Sequence, residues 1–147
     1  MNKDFELIPH TADIKIRVYG KNLSDLFKNA LMGMFQAIGP QAIGCKRVED
    51  RLACNDLPEK RDIDVSSFDI ESLLVDFLSE ALYLSDIHNE AYLDAKIHEI
   101  DDKHINATLL GLKITGFDVV EVKAVTYHDL EVKKEGGFLM TDIVFDI

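Results

Sequence analysis

The chain has 147 residues, of which 47% are hydrophobic and 29% are charged, and its formal net charge is −11. This length suits one domain with a sizeable core, whereas the negative charge opposes direct binding to nucleic-acid phosphates. The charge favours a basic protein partner, metal cations or simple solubility. Because no apolar run approaches the roughly 20 residues that span a bilayer, and no signal segment is evident, we expect a soluble cytoplasmic protein without membrane contact.

The first forty residues predict two strands followed by a helix. Residues 5–7 form a short apolar strand, and residues 14–19 alternate between apolar and polar side chains, as in a half-buried strand. Asp13 falls on the polar side of that strand. Ser24 is expected to cap a helix that runs to about Ile38, where Gly39 and the following proline end it.

Residues 40–60 predict a variable loop or linker, because they carry mixed charge and no clear period. They also contain Cys45 and Cys54, which are too far apart for a zinc finger and lack further ligands. A disulfide is unusual in a reducing cytosol, so free thiols are expected.

The remaining residues predict one strand, one helix and then two hairpins. Residues 61–66 alternate as a strand, and Asp69 is expected to cap the helix that follows it. Seven apolar residues share one face of that helix: Ile70, Leu73, Leu74, Phe77, Leu78, Ala81 and Leu82. Residues 92–100 and 104–115 flank one turn, and residues 122–134 and 138–147 flank the turn at Gly136 and Gly137.

Helices therefore come early and strands dominate late, which is not the order of a repeating βαβ chain. The pattern predicts an α+β fold in a single domain over residues 1–147, with two amphipathic helices packed on a largely antiparallel β-sheet.

Three carboxylates are candidates for a metal site. Asp146 precedes Ile147, whose α-carboxylate ends the sequence, and Asp13 joins them if the first and last strands run antiparallel and side by side. The three negative charges repel one another unless a cation lies between them, and hard oxygen ligands suit Mg²⁺, Ca²⁺ or Mn²⁺. The alternative is that Asp13 forms an Asx-type turn and Asp146 is solvated.

Two histidines and one lysine are further candidates. His10 and His128 each neighbour polar residues, although a ring nitrogen bonded to backbone is the commoner role. Lys123 is either a solvated lysine or a cation positioned beside the carboxylates. The chain contains no GxSxG, GxGxxG, HExxH or P-loop sequence.

Four stretches together resemble the archease family: HTADIKI at 10–16, ESLLVDFLSEALYL at 71–84, VKAVTYHDLEV at 122–132 and the terminal VFDI. The resemblance runs from about residue 5 to 147. It implies an accessory protein, not an enzyme, that activates the RtcB-type RNA ligase of tRNA splicing and RNA repair. Family members promote guanylylation of that GTP- and metal-dependent ligase and allow multiple turnover.

The resemblance also implies roles for particular residues. The family's divalent-cation ligands fall on Asp13, Asp146 and the carboxylate of Ile147, and its functionally important lysine falls on Lys123. Two other functions stay open: a stand-alone metal-dependent phosphoester hydrolase with His10 or His128 as its base, and a chaperone-like protein-binding module.

Overall fold

The computed structural model describes residues 3–8, 13–49, 51–118, 122–126 and 130–147. Within these ranges the chain has the predicted α+β composition. The helices are α1 (Leu23–Ile38) and α2 (Ile70–His88). The strands are β1 (Phe5–Ile8), β2 (Ile14–Gly20), β3 (Pro40–Gln41), β4 (Cys45–Val48), β5 (Arg51–Cys54), β6 (Glu59–Ser66), β7 (Glu90–Ile100), β8 (His104–Lys113), β9 (Gly116–Phe117), β10 (Ala124–Thr126), β11 (Lys133–Glu135) and β12 (Phe138–Asp146).

The strands form two main sheets instead of the one sheet that the sequence predicts. A five-stranded sheet has the order β1-β2-β12-β10, with β11 also paired to β12, and a three-stranded sheet has the order β6-β8-β7. All pairs between described strands are antiparallel. The predicted antiparallel α+β fold with two helices is confirmed, and its strands divide between two main sheets because β12 pairs with β2 and β10, whereas β8 pairs with β6 and β7. Each helix contacts strands of both sheets, so that the sheets share one core.

The N-cap of helix α1 lies two residues earlier than predicted. Asn22 is the N-cap residue, and its side-chain oxygen accepts a hydrogen bond from the backbone N–H of Asp25 at 2.9 Å. The predicted cap, Ser24, already lies inside the helix, so that prediction is wrong. Gly39 ends α1 as predicted, in a left-handed conformation with φ of 68° that a residue without a Cβ adopts readily.

Helix α2 confirms the predicted cap and the predicted apolar face. The carboxylate of Asp69 accepts from the backbone N–H of Ser72 at 2.7 Å. The buried face of α2 meets α1, where the rings of Phe77 and Phe27 lie 5.5 Å apart between centroids. Among the helices of the described ranges, neither is long and apolar enough to cross a membrane.

The segment predicted as a loop or linker contains strands. β3 pairs with β9, and β4 pairs with β5 in a hairpin that places Cys45 directly opposite Cys54. These two residues form a disulfide, with Cα atoms 4.4 Å apart, so the prediction of free thiols is wrong. The register of the β4–β5 hairpin brings the two sulfur atoms together, and this proximity is not visible from the sequence positions of the cysteines.

The strand predicted over residues 122–134 is also divided. It forms β10 and β11, and residues 127–129 between them lie outside the described residues. The turn predicted at Gly136 and Gly137 is confirmed, with positive φ at both positions.

A buried glutamate lies where the C-terminal end of α2 meets the three-stranded sheet. Glu90, the first residue of β7, is fully buried, and Arg61 of β6 donates two hydrogen bonds to it, at 2.9 and 2.8 Å. The hydroxyl of Tyr92 donates to the same carboxylate at 2.8 Å, and the Lys113 ammonium lies 3.2 Å away. The hydroxyl of Ser85 on α2 donates to the backbone oxygen of Glu90 at 2.5 Å. Two cations and one hydroxyl group therefore offset the cost of burying the ionised carboxylate.

Candidate functional site

The strand register brings the two ends of the chain to one edge of the five-stranded sheet. β2 and β12 run antiparallel, and their last described pair is Ile14 with Phe145. Asp13 directly precedes β2 and Asp146 is the last residue of β12, so this register brings both residues to the same end of the strand pair. This arrangement meets the geometric condition on which the predicted carboxylate cluster depends.

The predicted metal ligands differ in exposure. Asp13 is partly buried at the entrance of β2, whereas Asp146 is exposed at the end of β12. Ile147 follows it and is 44% exposed. Among the described residues, no group of three His, Cys, Asp or Glu side chains is placed to hold a metal ion. The predicted set differs from such a group, since only two of its members are side-chain carboxylates and the third is a backbone carboxylate.

Lys123 lies beside this edge through its backbone. Its N–H donates to the backbone oxygen of Asp146 at 2.8 Å, and the next residue, Ala124, pairs with Asp146 in the sheet. The Lys123 side chain is exposed and lines a pocket of about 440 Å³ between β10 and α2. Neither Asp13 nor Asp146 lines that pocket. The backbone of Lys123 is therefore hydrogen-bonded to the backbone of Asp146, while the Lys123 side chain borders a separate cavity.

An ion-pair network stiffens the sheet next to the candidate site. Arg17 of β2 donates to both carboxylate oxygens of Asp142 on β12, at 2.7 and 3.1 Å. These hydrogen bonds hold the pKa of Asp142 below its ordinary value. Lys15 lies 3.9 Å from the same carboxylate. Arg17 and Asp142 pair in the middle of the β2–β12 register, so the network stabilises that register three pairs before its last described pair.

Two predicted residues are not placed. His10 and His128 lie outside the described residues, so their roles as further members of the site, or as a hydrolase base, stay predictions.

Helix α2 contributes one wall of the pocket beside Lys123, and none of these α2 residues was among the predicted site residues. Tyr83 and Asp86 of α2 line it, together with Leu82 and Ser79. Tyr83 lies outside the apolar stripe of α2 and is 60% exposed. The position of Tyr83 outside the apolar face of α2 was the one sequence feature that could have indicated this surface.

The chain matches the Archease protein family (MTH1598/TM1083) over residues 5–147. Two similar proteins, both called protein archease, come from Methanosarcina barkeri and Pyrococcus furiosus. The first is 37% identical, with 99% of this chain and 97% of the relative covered. The second is 35% identical, with 99% of each covered.

Solved structures agree with this similarity. The solution structure of protein 1598 from Methanobacterium thermoautotrophicum has a TM-score of 0.69 at 29% identity, covering 98% of this chain and 99% of its own. The crystal structure of a Thermotoga maritima archease, described as a possible chaperone, has a TM-score of 0.61 at 23% identity, covering 95% and 94%. At that identity the Thermotoga protein supports the fold alone.

Proposed function

Because this chain belongs to the archease family, we propose that it is an accessory protein that activates an RtcB-type RNA ligase in tRNA splicing and RNA repair. In this proposal the protein has no turnover of its own and promotes guanylylation of the ligase. The observation that supports the proposal is the β2–β12 register, because Asp13 and Asp146 are the chain neighbours of its last described pair, Ile14 and Phe145.

The donor set fits a hard divalent cation. Asp13, Asp146 and the carboxylate that Ile147 carries at the end of the chain offer oxygen ligands only, which suit Ca²⁺, Mg²⁺ or Mn²⁺ better than zinc. Because the β2–β12 register brings Asp13 and Asp146 to the same end of the strand pair, a single cation could draw oxygen ligands from both. A bound cation supplies positive charge that can stabilise the phosphates of the ligase's nucleotide.

The charge of the protein supports a basic partner. A chain with a formal charge of −11 is attracted to a cationic, metal-containing ligase cleft and repelled by free RNA. In the docked complex the exposed Lys123 side chain, which borders the neighbouring cavity, provides a cation that can stabilise developing negative charge on the nucleotide.

Replacing Asp146 tests the metal site. The variant Asp146→Asn keeps the side-chain shape and removes one carboxylate, and Asp102→Asn, on the exposed β7–β8 turn, is the matched control. Guanylylated ligase is followed over time with a cognate ligase, GTP and Mn²⁺, and Mn²⁺ binding to each protein is measured by calorimetry. We expect Asp146→Asn to lose Mn²⁺ binding and most of the stimulation, and the control to keep both.

The outcomes separate the two parts of the proposal. If Asp146→Asn stimulates the ligase as well as the wild-type protein does at equal folding stability, the metal-site mechanism is wrong and the accessory role stands. If the wild-type protein does not accelerate guanylylation by its cognate ligase, the proposed function is wrong.

A chaperone-like protein-binding module is the second candidate, because a structurally similar Thermotoga protein is described as a possible chaperone. Exposed apolar side chains support it, among them Phe68, which is 78% exposed. This candidate predicts that the protein suppresses the aggregation of unrelated clients in a light-scattering assay. Protection limited to the ligase would exclude it.

A further inference from the structure

One side of strand β6 is unpaired. In the part of the chain that the structure describes, β6 is the outer strand of the three-stranded sheet and pairs with β8 alone. The strand has eight residues in continuous register, so its outer side offers a regular row of backbone donors and acceptors. Such an edge can receive a further strand from another chain.

The register identifies which backbone groups of β6 are available. The N–H of Ser67 donates to the backbone oxygen of Lys103 at 2.8 Å, at the pair that follows the last residue of β6. Because hydrogen-bonded pairs alternate along an antiparallel ladder, the odd-numbered residues of β6 bond to β8. The N–H and C=O groups of Asp62, Asp64 and Ser66 therefore point away from the sheet. All three of these residues are exposed.

The unpaired side of β6 forms a groove with helix α2, which we call the β6 groove. Its volume is about 600 Å³, and five consecutive residues of β6, at positions 62–66, line one wall. Asp76, Ser79 and Glu80 of α2 line the other wall. Five residues of an extended chain span roughly 17 Å, at about 3.3 Å per residue. The β6 groove can therefore hold a short extended peptide against the strand edge.

Two exposed carboxylates set the charge of the β6 wall. The Thr108 hydroxyl donates to Asp62 at 2.7 Å, and the Asn106 amide donates to Asp64 at 2.9 Å. Both donors are neutral, so they orient the carboxylates without cancelling their charge. The Asn106 amide and the His104 ring hold the pKa of Asp64 below its ordinary value, which keeps this carboxylate ionised at neutral pH. Among the described residues, neither lysine nor arginine lines the β6 groove.

These carboxylates indicate the chemistry of the occupant. Asp62 and Asp64 lie on the solvent face of the sheet, opposite the buried side chain of Ile63. Every second side chain of an added strand falls on that same face, where opposite charges on neighbouring strands attract. Lys60 is exposed on this face too, but it lies outside the groove, so the basic positions belong beside the two aspartates. A second copy of this chain fits poorly because it brings the same carboxylates and the same net charge of −11.

We propose that the β6 groove binds an extended segment of the partner ligase as an added strand, with lysine or arginine at alternate positions. The proposal rests on the proposed function and names a second contact between the two proteins, apart from the carboxylate edge of the five-stranded sheet. Main-chain hydrogen bonds to Asp62, Asp64 and Ser66 supply affinity, and the two carboxylates select a basic segment.

Hydrogen exchange of single backbone amides tests the added strand directly. In the free protein the amides of Asp62 and Asp64 should exchange fast, whereas those of Ile63 and Val65, which bond to β8, should exchange slowly. On addition of a cognate ligase we expect the amides of Asp62 and Asp64 to slow at least about tenfold and those of Ile63 and Val65 to stay slow. A ligase held by side-chain charges alone would leave the first pair of amides fast.

Two pairs of variants test the backbone and the charges separately. Ser66→Pro removes one outward N–H, which an edge strand tolerates where that group faces solvent, and Ser66→Ala is its matched control. Asp62→Asn with Asp64→Asn removes two charges, and Glu99→Gln with Asp102→Asn removes as many from exposed positions in β7 and the following turn. The dissociation constant is measured with fluorescently labelled ligase at several salt concentrations, and stimulation of guanylylation is measured beside it.

We expect Ser66→Pro to weaken binding about three- to tenfold, as for the loss of one hydrogen bond, and Ser66→Ala to change it by less than about twofold. The variant without Asp62 and Asp64 should bind at least about threefold more weakly and lose most of the salt dependence of binding. Its control should keep wild-type affinity. Thermal unfolding of every variant is recorded to confirm that it is folded.

Each remaining outcome decides one of the two proposals. If the ligase binds and is stimulated while the amides of Asp62 and Asp64 stay fast, the β6 groove is not the contact and the proposed function stands. Slow exchange at these amides in the free protein, rising with its concentration, assigns the edge to a second copy and overturns the proposal. If the wild-type protein binds the ligase without stimulating it, the proposed function is wrong, yet the exchange rates still decide the groove. If it does not bind the ligase, both proposals are wrong.

Discussion

Replacing Glu90 with glutamine tests how strongly the buried ion pair with Arg61 stabilises the fold. The bidentate hydrogen bonds from Arg61 lower the pKa of Glu90 from its ordinary value of 4.5 to about 2. Each pKa unit corresponds to about 1.4 kcal/mol, so ionised Glu90 contributes about 3 kcal/mol to the free energy of unfolding at neutral pH. The Arg61 side chain is 29% exposed, so water can partly solvate it in the variant.

The pH dependence has a definite sign. Because the pKa of Glu90 is lower in the folded protein than in the unfolded chain, its contribution is complete above about pH 4.5 and is lost as the pH falls towards about 2. Urea unfolding at pH 7 should show Glu90→Gln to be less stable by about 3 kcal/mol, before any compensation by the new amide. Between pH 5 and pH 2 the difference between the two proteins should shrink, because only the wild-type protein takes up this proton.

The control for this comparison is Glu99→Gln, which removes an exposed carboxylate of the same strand, β7, and should leave the stability within about 0.5 kcal/mol. If Glu90→Gln unfolds at the wild-type urea concentration at pH 7, the ion pair does not stabilise the fold. If the wild-type and variant stabilities fall in parallel between pH 5 and pH 2, the stated pKa is wrong.

Two further predictions concern the N-terminal helix and the hairpin that follows it. Asn22→Ala should lower the free energy of unfolding by about 1 kcal/mol because it removes the acceptor for the Asp25 N–H, whereas Ser24→Ala should have a smaller effect; the reverse order in urea unfolding would contradict the cap assignment. Reductant should destabilise the wild-type protein by roughly 3 kcal/mol, as expected for a bridge between residues nine positions apart, and should not affect Cys45→Ser with Cys54→Ser; a reductant-insensitive wild-type protein would refute the disulfide.

The features that could be predicted from sequence are local ones. The cap at Asp69 and the apolar face of α2 depend on residues within one or two turns, and the structure confirms both. The turn at Gly136 and Gly137 follows from the conformational freedom of glycine and is also confirmed. In each case the determining interactions lie within a few residues of sequence.

The features that were missed depend on distant or competing contacts. The polar strands β4 and β5 show no buried alternation, so only their pairing reveals them and the disulfide between Cys45 and Cys54. Asn22 and Ser24 are both good caps, and the choice between them is made by the extended backbone of Asn22. The sequence predicted that Asp13 and Asp146 come close together only if β2 and β12 pair. That pairing joins strands more than a hundred residues apart, so the sequence alone could not establish it.

The position of β12 between β2 and β10 constrains the order in which the protein folds during synthesis. β12 lies between β2 and β10, yet β2 is complete by residue 20 and β12 only by residue 146. During synthesis one edge of the N-terminal hairpin therefore stays unpaired until β12 has left the ribosome. Closing so long a loop is slow. During that time the unpaired strand edge of the nascent chain can pair with strands of other chains.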